Sequence, residues 1–207
     1  MSSRQLAVAA LVLISAALLG GGMQVAEPIL GLPNSVSALG APWLVAAFAV
    51  GTLVRRRTMA AGAGAVLLTT GTALYYATLV YGYGNSAMSY ATAMALAWGI
   101  AACLAGATMG ALGSLWRDAA GTWAVILAAL PAAALAGEAV LLRTTWDGGD
   151  LALALELALA GAILALLSRR RAPLPAAVMT AVILALVFAG VEGGVRDVMR
   201  AAGWHGA

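Results

Sequence analysis

Long apolar runs, separated by short polar or turn-forming segments, dominate the pattern of the chain. A helix needs about 20 apolar residues to cross a bilayer of roughly 30 Å, and seven runs reach or approach that length. The predicted helices lie near residues 5–24, 41–54, 58–82, 89–115, 120–143, 151–168 and 174–198. We therefore expect an all-α, polytopic transmembrane helix bundle of seven helices that forms a single domain over residues 1–207.

Arginine clusters indicate the orientation of these helices. All eleven basic residues are arginine, and eight of them fall at Arg4, Arg55–Arg57, Arg117 and Arg169–Arg171, before or between apolar runs. Cytoplasmic loops carry an excess of basic residues, and strict alternation from an inside amino terminus places all four clusters on the same side. The sequence thus predicts that the N-terminus is inside and the C-terminus outside.

Composition supports a membrane location and excludes a soluble domain. Hydrophobic residues make up 63% of the chain and charged residues only 9%, with a mean hydropathy of +0.98. Such a chain has too little polar surface to fold in water, so we expect an integral membrane protein whose principal partner is the lipid bilayer. No basic stripe with interleaved aromatic residues exists, and we expect no nucleic-acid partner.

Missing residue types exclude several chemistries. The absence of lysine excludes a retinal Schiff base. One histidine, His205, and one cysteine, Cys103, do not supply a ligand set for zinc or haem, and no aspartate-rich motif is present to hold magnesium on a diphosphate. The sequence therefore predicts no metal site and no cofactor.

Three carboxylates interrupt the apolar runs. Glu138, Glu156 and Glu192 lie, at 1.5 Å per residue, at comparable depths in the outer third of the membrane. A charged side chain in hydrocarbon costs about 2.5–3.5 kcal/mol, so such residues usually face the protein interior. We expect the three to form one site.

The three carboxylates differ in their local sequence. Glu138 follows Pro131, which is expected to kink the helix, and has no basic residue three or four positions away; burial then favours its neutral form, which a proton donor needs. Glu192 precedes Arg196 by four positions, so a structural ion pair is as good an interpretation as a functional role. Glu156 lies near the membrane edge, where it can reach the interface instead.

Aromatic residues gather at a similar level. An aromatic belt at the headgroups is the ordinary explanation, but Tyr75, Tyr76 and Trp98 lie too deep in the membrane for it. Ring faces stabilise a cation by about 2 kcal/mol or more when water is excluded. The residues assigned to substrate binding are Tyr75, Tyr76, Trp98, Trp43, Tyr81 and Arg196.

Several short motifs resemble a known group of proteins. They are Ala-Pro-Trp43 at the start of a short helix, Tyr75-Tyr76, Gly106-x-x-x-Gly110-x-x-Gly113 ahead of Trp116-Arg117, and Gly137-Glu138. The pattern resembles a family of small actinobacterial polytopic membrane proteins, and is similar to the bacterial membrane-bound terpene cyclases of drimentine-type pathways. That resemblance implies metal-free, proton-initiated (class II type) cyclisation of a lipophilic prenylated molecule such as a farnesylated indole. It also implies the bacterial plasma membrane and an upstream prenyltransferase.

The leading hypothesis is therefore a membrane-embedded terpene cyclase. In it Glu138 is the general acid, Glu192 or Glu156 holds or reloads its proton, and the aromatic residues shield carbocations. The alternative is a small membrane transporter or substrate-binding membrane subunit that uses the same outer-half carboxylates. A third interpretation is a structural membrane protein whose carboxylates only join helices.

Overall fold

A computed structural model describes residues 3–30, 40–82, 88–145, 150–169, 171–201 and 203. Within these ranges the chain is helical and contains no strand. The helices, in chain order, are α1 Ser3–Ala17, α2 Met23–Leu30, α3 Ala41–Leu53, α4 Arg57–Ala77, α5 Met88–Trp116, α6 Gly121–Thr145, α7 Asp150–Ser168 and α8 Leu174–Ala201. His205 lies outside the described residues.

Two π-helical segments lengthen the α-helices. Leu18–Gly22 joins α1 to α2, and Thr78–Gly82 continues α4, so the described residues form seven continuous helices. The prediction of an all-helical bundle of seven helices is confirmed. The predicted end of the first helix at residue 24 is wrong, because α2 continues to Leu30 through Pro28. A proline beyond the first turn removes a backbone donor and usually kinks or ends a helix, yet here the helix extends two residues past Pro28.

Among the residues that the structure describes, five helices are long and apolar enough to cross a membrane. They are Leu6–Ala26, Arg57–Gly82, Thr92–Trp116, Gly121–Arg143 and Leu174–Ala201. Two further apolar helices, Ala41–Leu53 and Leu153–Ser168, are shorter. The chain is thus a membrane protein by the length and composition of its helices.

Contacts group the chain into two compact units. Unit 1 comprises Met1–Leu39, Ala46–Ser114 and Gly206–Ala207, and unit 2 comprises Gly40–Val45 and Leu115–His205. Helix α3 begins in unit 2 and ends in unit 1. The prediction of a single domain stays a prediction.

Glycines bring helix backbones into contact in unit 1. A Cβ atom on Gly51 would overlap the carbonyl group of Gly110, and one on Gly64 would overlap that of Gly106. A Cβ on Gly113 would likewise overlap the carbonyl group of Phe48. Small residues at such crossings allow close approach, which is how helices associate where lipid removes the hydrophobic drive. Helices α3, α4 and α5 therefore pack backbone to backbone.

Helix α6 is the central element of unit 2. It packs against both α7 and α8, and 67% of its most apolar stretch is buried, compared with 17% for α8. The core of small and branched apolar side chains contains Ala41, Ala129, Ala132, Ala134, Leu135, Ala160, Leu164, Ala177 and Ala181. Pro131 lies within α6, which continues through it. A polar side chain on the packed faces of α6 is thus held away from lipid.

Candidate functional site

Glu138, on α6, is fully buried and bonded to the start of α3. The backbone N–H of Gly40 donates to its Oε1 and that of Ala41 donates to its Oε2, both at 2.7 Å. The two bonds join positions 98 and 97 residues apart in sequence. Both oxygens of the carboxyl group are therefore occupied by backbone donors.

The local sequence explains why α3 needs this carboxylate. The first N–H groups of any helix lack intrahelical partners, and a Ser, Thr, Asp or Asn side chain usually caps them. The residue before α3 is Gly40, which has no side chain to do so. The helix terminus also carries a partial positive charge that favours an anion. Glu138, on α6, thus supplies the cap that the sequence next to α3 lacks.

Arg196, on α8, links two of the carboxylates. Its Nη2 donates to Glu138 Oε1 at 2.8 Å and to Glu192 Oε1 at 2.6 Å, and its Nε donates to Glu192 Oε1 at 3.0 Å. The predicted ion pair between Glu192 and Arg196 is confirmed. The expectation that Glu138 has no charge partner is wrong, because Arg196 reaches it from another helix.

Glu156, on α7, completes the group of three carboxyls. It is only 3% exposed, so the expectation that it can reach the membrane interface is wrong. Its carboxyl group lies within hydrogen-bonding reach of the Glu138 carboxyl and interacts electrostatically with Glu192 and Arg196. Within the described part of the chain, neither of its oxygens accepts a hydrogen bond from an N–H or hydroxyl group. We call Glu138, Glu156, Glu192 and Arg196 the charge cluster.

The charge cluster contains more acidic than basic groups. Three carboxyls share one guanidinium, so full ionisation would leave an excess of negative charge in a buried site, which is costly. Glu138 and Glu192 meet donors suited to carboxylates. The hydrogen of a neutral carboxyl on Glu156 would meet no competing donor. Geometry therefore favours Glu156, which lies within hydrogen-bonding reach of Glu138, as the first member of the charge cluster to carry a proton.

The predicted aromatic residues are divided between the two units. Unit 1 holds a groove of about 590 Å³ between α4, its π-helical extension and α5, lined by residues that include Tyr76 and Tyr81. Tyr75 meets Tyr76 edge-on, with ring centroids 5.2 Å apart. Trp98 lies on a different face of α5 from the groove-lining residues.

Trp43 belongs to unit 2, where its backbone N–H donates a hydrogen bond to the Gly40 carbonyl in the first turn of α3. The carboxylates are also in unit 2. That the charge cluster and the unit 1 aromatic residues serve one substrate stays a prediction, as do the catalytic roles of the carboxylates.

The sequence interpretation missed the contribution of Gly40 and Ala41 because they act through backbone N–H groups. A signal does exist in the chain. The sequence Gly40-Ala41-Pro42 starts a helix without a capping side chain, and it lies opposite a helix that carries a buried acid. An uncapped helix start is a place to look for a distant carboxylate.

Comparison with known proteins gives one match. A family model described as "Family of unknown function (DUF6518)" matches residues 1–196. No curated protein and no solved structure matches the chain.

Proposed function

The chain belongs to the DUF6518 family, and we propose that it is a membrane-embedded cyclase in which Glu156 donates a proton to an alkene of a lipophilic prenylated substrate. The observation that carries the proposal is the Glu156 carboxyl, which is 3% exposed and, among the described residues, meets the Glu138 carboxyl but no N–H donor. A general acid must carry a proton that it can give to the substrate, and a carboxyl that accepts few hydrogen bonds keeps its proton more readily. The role first predicted for Glu138 thus moves to Glu156.

The proposed reaction balances without an oxidant or a metal. The O–H bond of Glu156 breaks, and the alkene π electrons form a C–H bond to that proton, which leaves a tertiary carbocation. A second alkene of the chain attacks the cation and closes a ring. Loss of a proton from the final cation restores an alkene, so the product is an isomer of the substrate. A prenyltransferase acting earlier would supply such a substrate.

The rest of the charge cluster supports the reloading of Glu156. Glu192 has a side chain that is 24% exposed, whereas Glu138 is fully buried, so Glu192 is the member best placed to exchange protons with water. Arg196 bonds both residues and keeps a positive charge beside them. Protonation at Glu192 can then be relayed to Glu156 within the charge cluster.

Unit 1 by itself contains a groove whose lining suits a lipophilic molecule. Its volume of about 590 Å³ lies in the range of small-molecule sites, which is about 300–1,000 Å³. Most of its lining is aliphatic or small, with the rings of Tyr76 and Tyr81 among them. Ring faces of this kind stabilise positive charge where water is excluded.

A proton-coupled carrier is the second candidate. The graded exposure of the carboxyls, from the partly exposed Glu192 to the buried Glu156, favours it. Ionisable residues within membrane spans commonly form proton relays in transporters. The same groups would then move a proton with a solute rather than give it to carbon.

Product formation and proton flux separate the two candidates. Purified protein is incubated in detergent with farnesylated indoles, and cyclised isomers are measured by mass spectrometry. General acid catalysis typically contributes 10²–10⁴-fold, so Glu156→Gln should lower cyclisation by about that factor. Asp197→Asn is the matched control, because Asp197 is an exposed acid on α8 and should leave product formation unchanged.

The outcomes are distinct. Glu156→Gln should fold at least as well as the parent, because a neutral amide relieves the burial of a carboxyl without donors. A Gln variant with the parent's activity would remove Glu156 from the mechanism. Parent protein that forms no cyclised isomer, but carries protons across liposome membranes in the presence of the same solutes, would replace the cyclase with the carrier.

A further inference from the structure

We infer that Glu138 is a positioning residue that fastens the start of α3 over the charge cluster, and that a proton taken up by Glu138 releases it. The inference rests on the proposed function because it concerns access to the same buried carboxyls. We call the bonds from the Gly40 and Ala41 N–H groups to Glu138 the α3 latch.

The backbone of Gly40 covers two of the carboxylates. Gly40 is exposed, while Glu138 directly beneath it is fully buried. A Cβ atom placed on Gly40 would lie 3.7 Å from Glu138 Oε1 and 3.9 Å from Glu192 Oε1. The start of α3 therefore lies between the outside of unit 2 and these carboxylates. Movement of this segment would open the charge cluster.

The α3 latch depends on the ionised form of Glu138. A carboxylate only accepts hydrogen bonds, whereas a neutral carboxyl carries an O–H donor on one oxygen. On Oε2 that hydrogen would face the N–H of Ala41, and on Oε1 it would face the donors of Gly40 and Arg196. The positive end of α3 also favours an anion. Protonation of Glu138 therefore opposes the latch at either oxygen.

The groups that surround Glu138 determine when this occurs. Arg196 and Glu192 face it from α8, Glu156 interacts with it from α7, and the start of α3 contributes the backbone donors of Gly40 and Ala41. While the charge cluster is short of protons, Arg196 and the α3 terminus hold an ionised Glu138. When a further proton enters, Glu138 can take it up and the start of α3 comes away.

Hydrogen–deuterium exchange of the α3 terminus tests the inference without any substrate. Exchange of the Gly40 and Ala41 amides is followed by mass spectrometry in protein reconstituted in nanodiscs. Glu138→Gln should speed this exchange at least about tenfold, and Glu138→Asp, which keeps the charge, should restore part of the protection. Asp197→Asn is the matched control; it removes an exposed carboxylate of α8 outside the charge cluster, and should leave the exchange within about twofold of the parent.

A pH series in the parent protein gives a second readout. After correction for the intrinsic pH dependence of exchange, protection of Gly40 and Ala41 should fall as pH falls, and Glu138→Gln should show no such dependence. Unchanged protection in a folded Glu138→Gln variant would overturn the inference. If that variant does not fold, a flat pH profile in the parent would overturn it instead. Glu156→Gln should lose cyclisation and keep the latch, because Glu156 does not bond Gly40 or Ala41. A fully active Glu156→Gln variant would overturn only the proposed function, and unchanged protection in Glu138→Gln would overturn only this inference.

Discussion

Replacing Arg196 by leucine should destabilise the protein by about 3–5 kcal/mol. Removing one partner of a buried ion pair typically costs this much, because the other charge stays buried without compensation. Arg196 donates three hydrogen bonds to two carboxylates. A hydrogen bond to a charged group contributes about 1.5–3 kcal/mol to stability. Without it the fully buried Glu138 loses its guanidinium partner and keeps the backbone donors of Gly40 and Ala41.

Arg200 provides the matched control on the same helix. It pairs with Asp197 at 2.9 Å, but the two side chains are 45% and 74% exposed. Exposed ion pairs contribute about 0–1 kcal/mol, so Arg200→Leu should change the free energy of unfolding by less than about 1 kcal/mol. The contrast between the two leucine variants isolates the effect of burial from that of removing an arginine.

Unfolding in mixed micelles by titration with sodium dodecyl sulfate measures these free energies. The double variant Arg196→Leu/Glu138→Gln should be more stable than the sum of the two single changes predicts, by about 1 kcal/mol or more, because a neutral amide needs no cation. Equal losses for Arg196→Leu and Arg200→Leu would refute the reasoning. A strictly additive double variant would show that Arg196 does not stabilise Glu138.

Three further predictions concern orientation, the groove and helix packing. A reporter inserted at Arg57 or Arg169 should be active only in the cytoplasm, and one placed between α6 and α7 only outside; the reverse pattern would contradict the predicted orientation. Tyr76→Phe should keep most cyclase turnover, whereas Tyr76→Ala should reduce it or divert product to alcohols, and unchanged product in both would make the ring a packing residue. Gly64→Ala should lower the free energy of unfolding by about 1–3 kcal/mol, because its Cβ would overlap Gly106. Gly62→Ala, on the same helix with open space around it, should be neutral or stabilising by up to about 1 kcal/mol in the same titration.

The helices were predictable because a hydrophobic run of near-bilayer length has few alternatives to a membrane-spanning helix. Boundaries agreed within a few residues for most helices, and the largest error was the end of the first helix. There a proline four residues beyond the predicted end did not stop the helix, which continues through Pro28 to Leu30. Local signals of this kind are weaker than the apolar pattern that surrounds them.

The candidate site was predictable only in part. The depth of each residue in the membrane, counted from the helix start, grouped Glu138, Glu156 and Glu192 correctly, because residues at the same depth on packed helices tend to meet. The bond from Arg196 to Glu138 spans 58 residues, and helix rotation, which apolar runs do not specify, decides whether it forms. The bonds from α3 use backbone N–H groups, which no residue type reports. The proposal that Glu156 is the proton donor therefore required the structure.

The separation of Glu138 and Arg196 along the chain has a consequence for biogenesis. Ribosomes add about 5–20 residues per second, so Arg196, which is 58 residues later, is made roughly 3–12 s after Glu138. Helix α6 must then enter the membrane before its counter-ion exists, on the strength of its own mean hydropathy of 2.2. We expect a chain truncated after α7 to be degraded faster than the full chain in pulse–chase labelling, and Glu138→Gln to slow that degradation. An unchanged lifetime in the Gln variant would show that nascent Glu138 is neutralised by other means before α8 is translated.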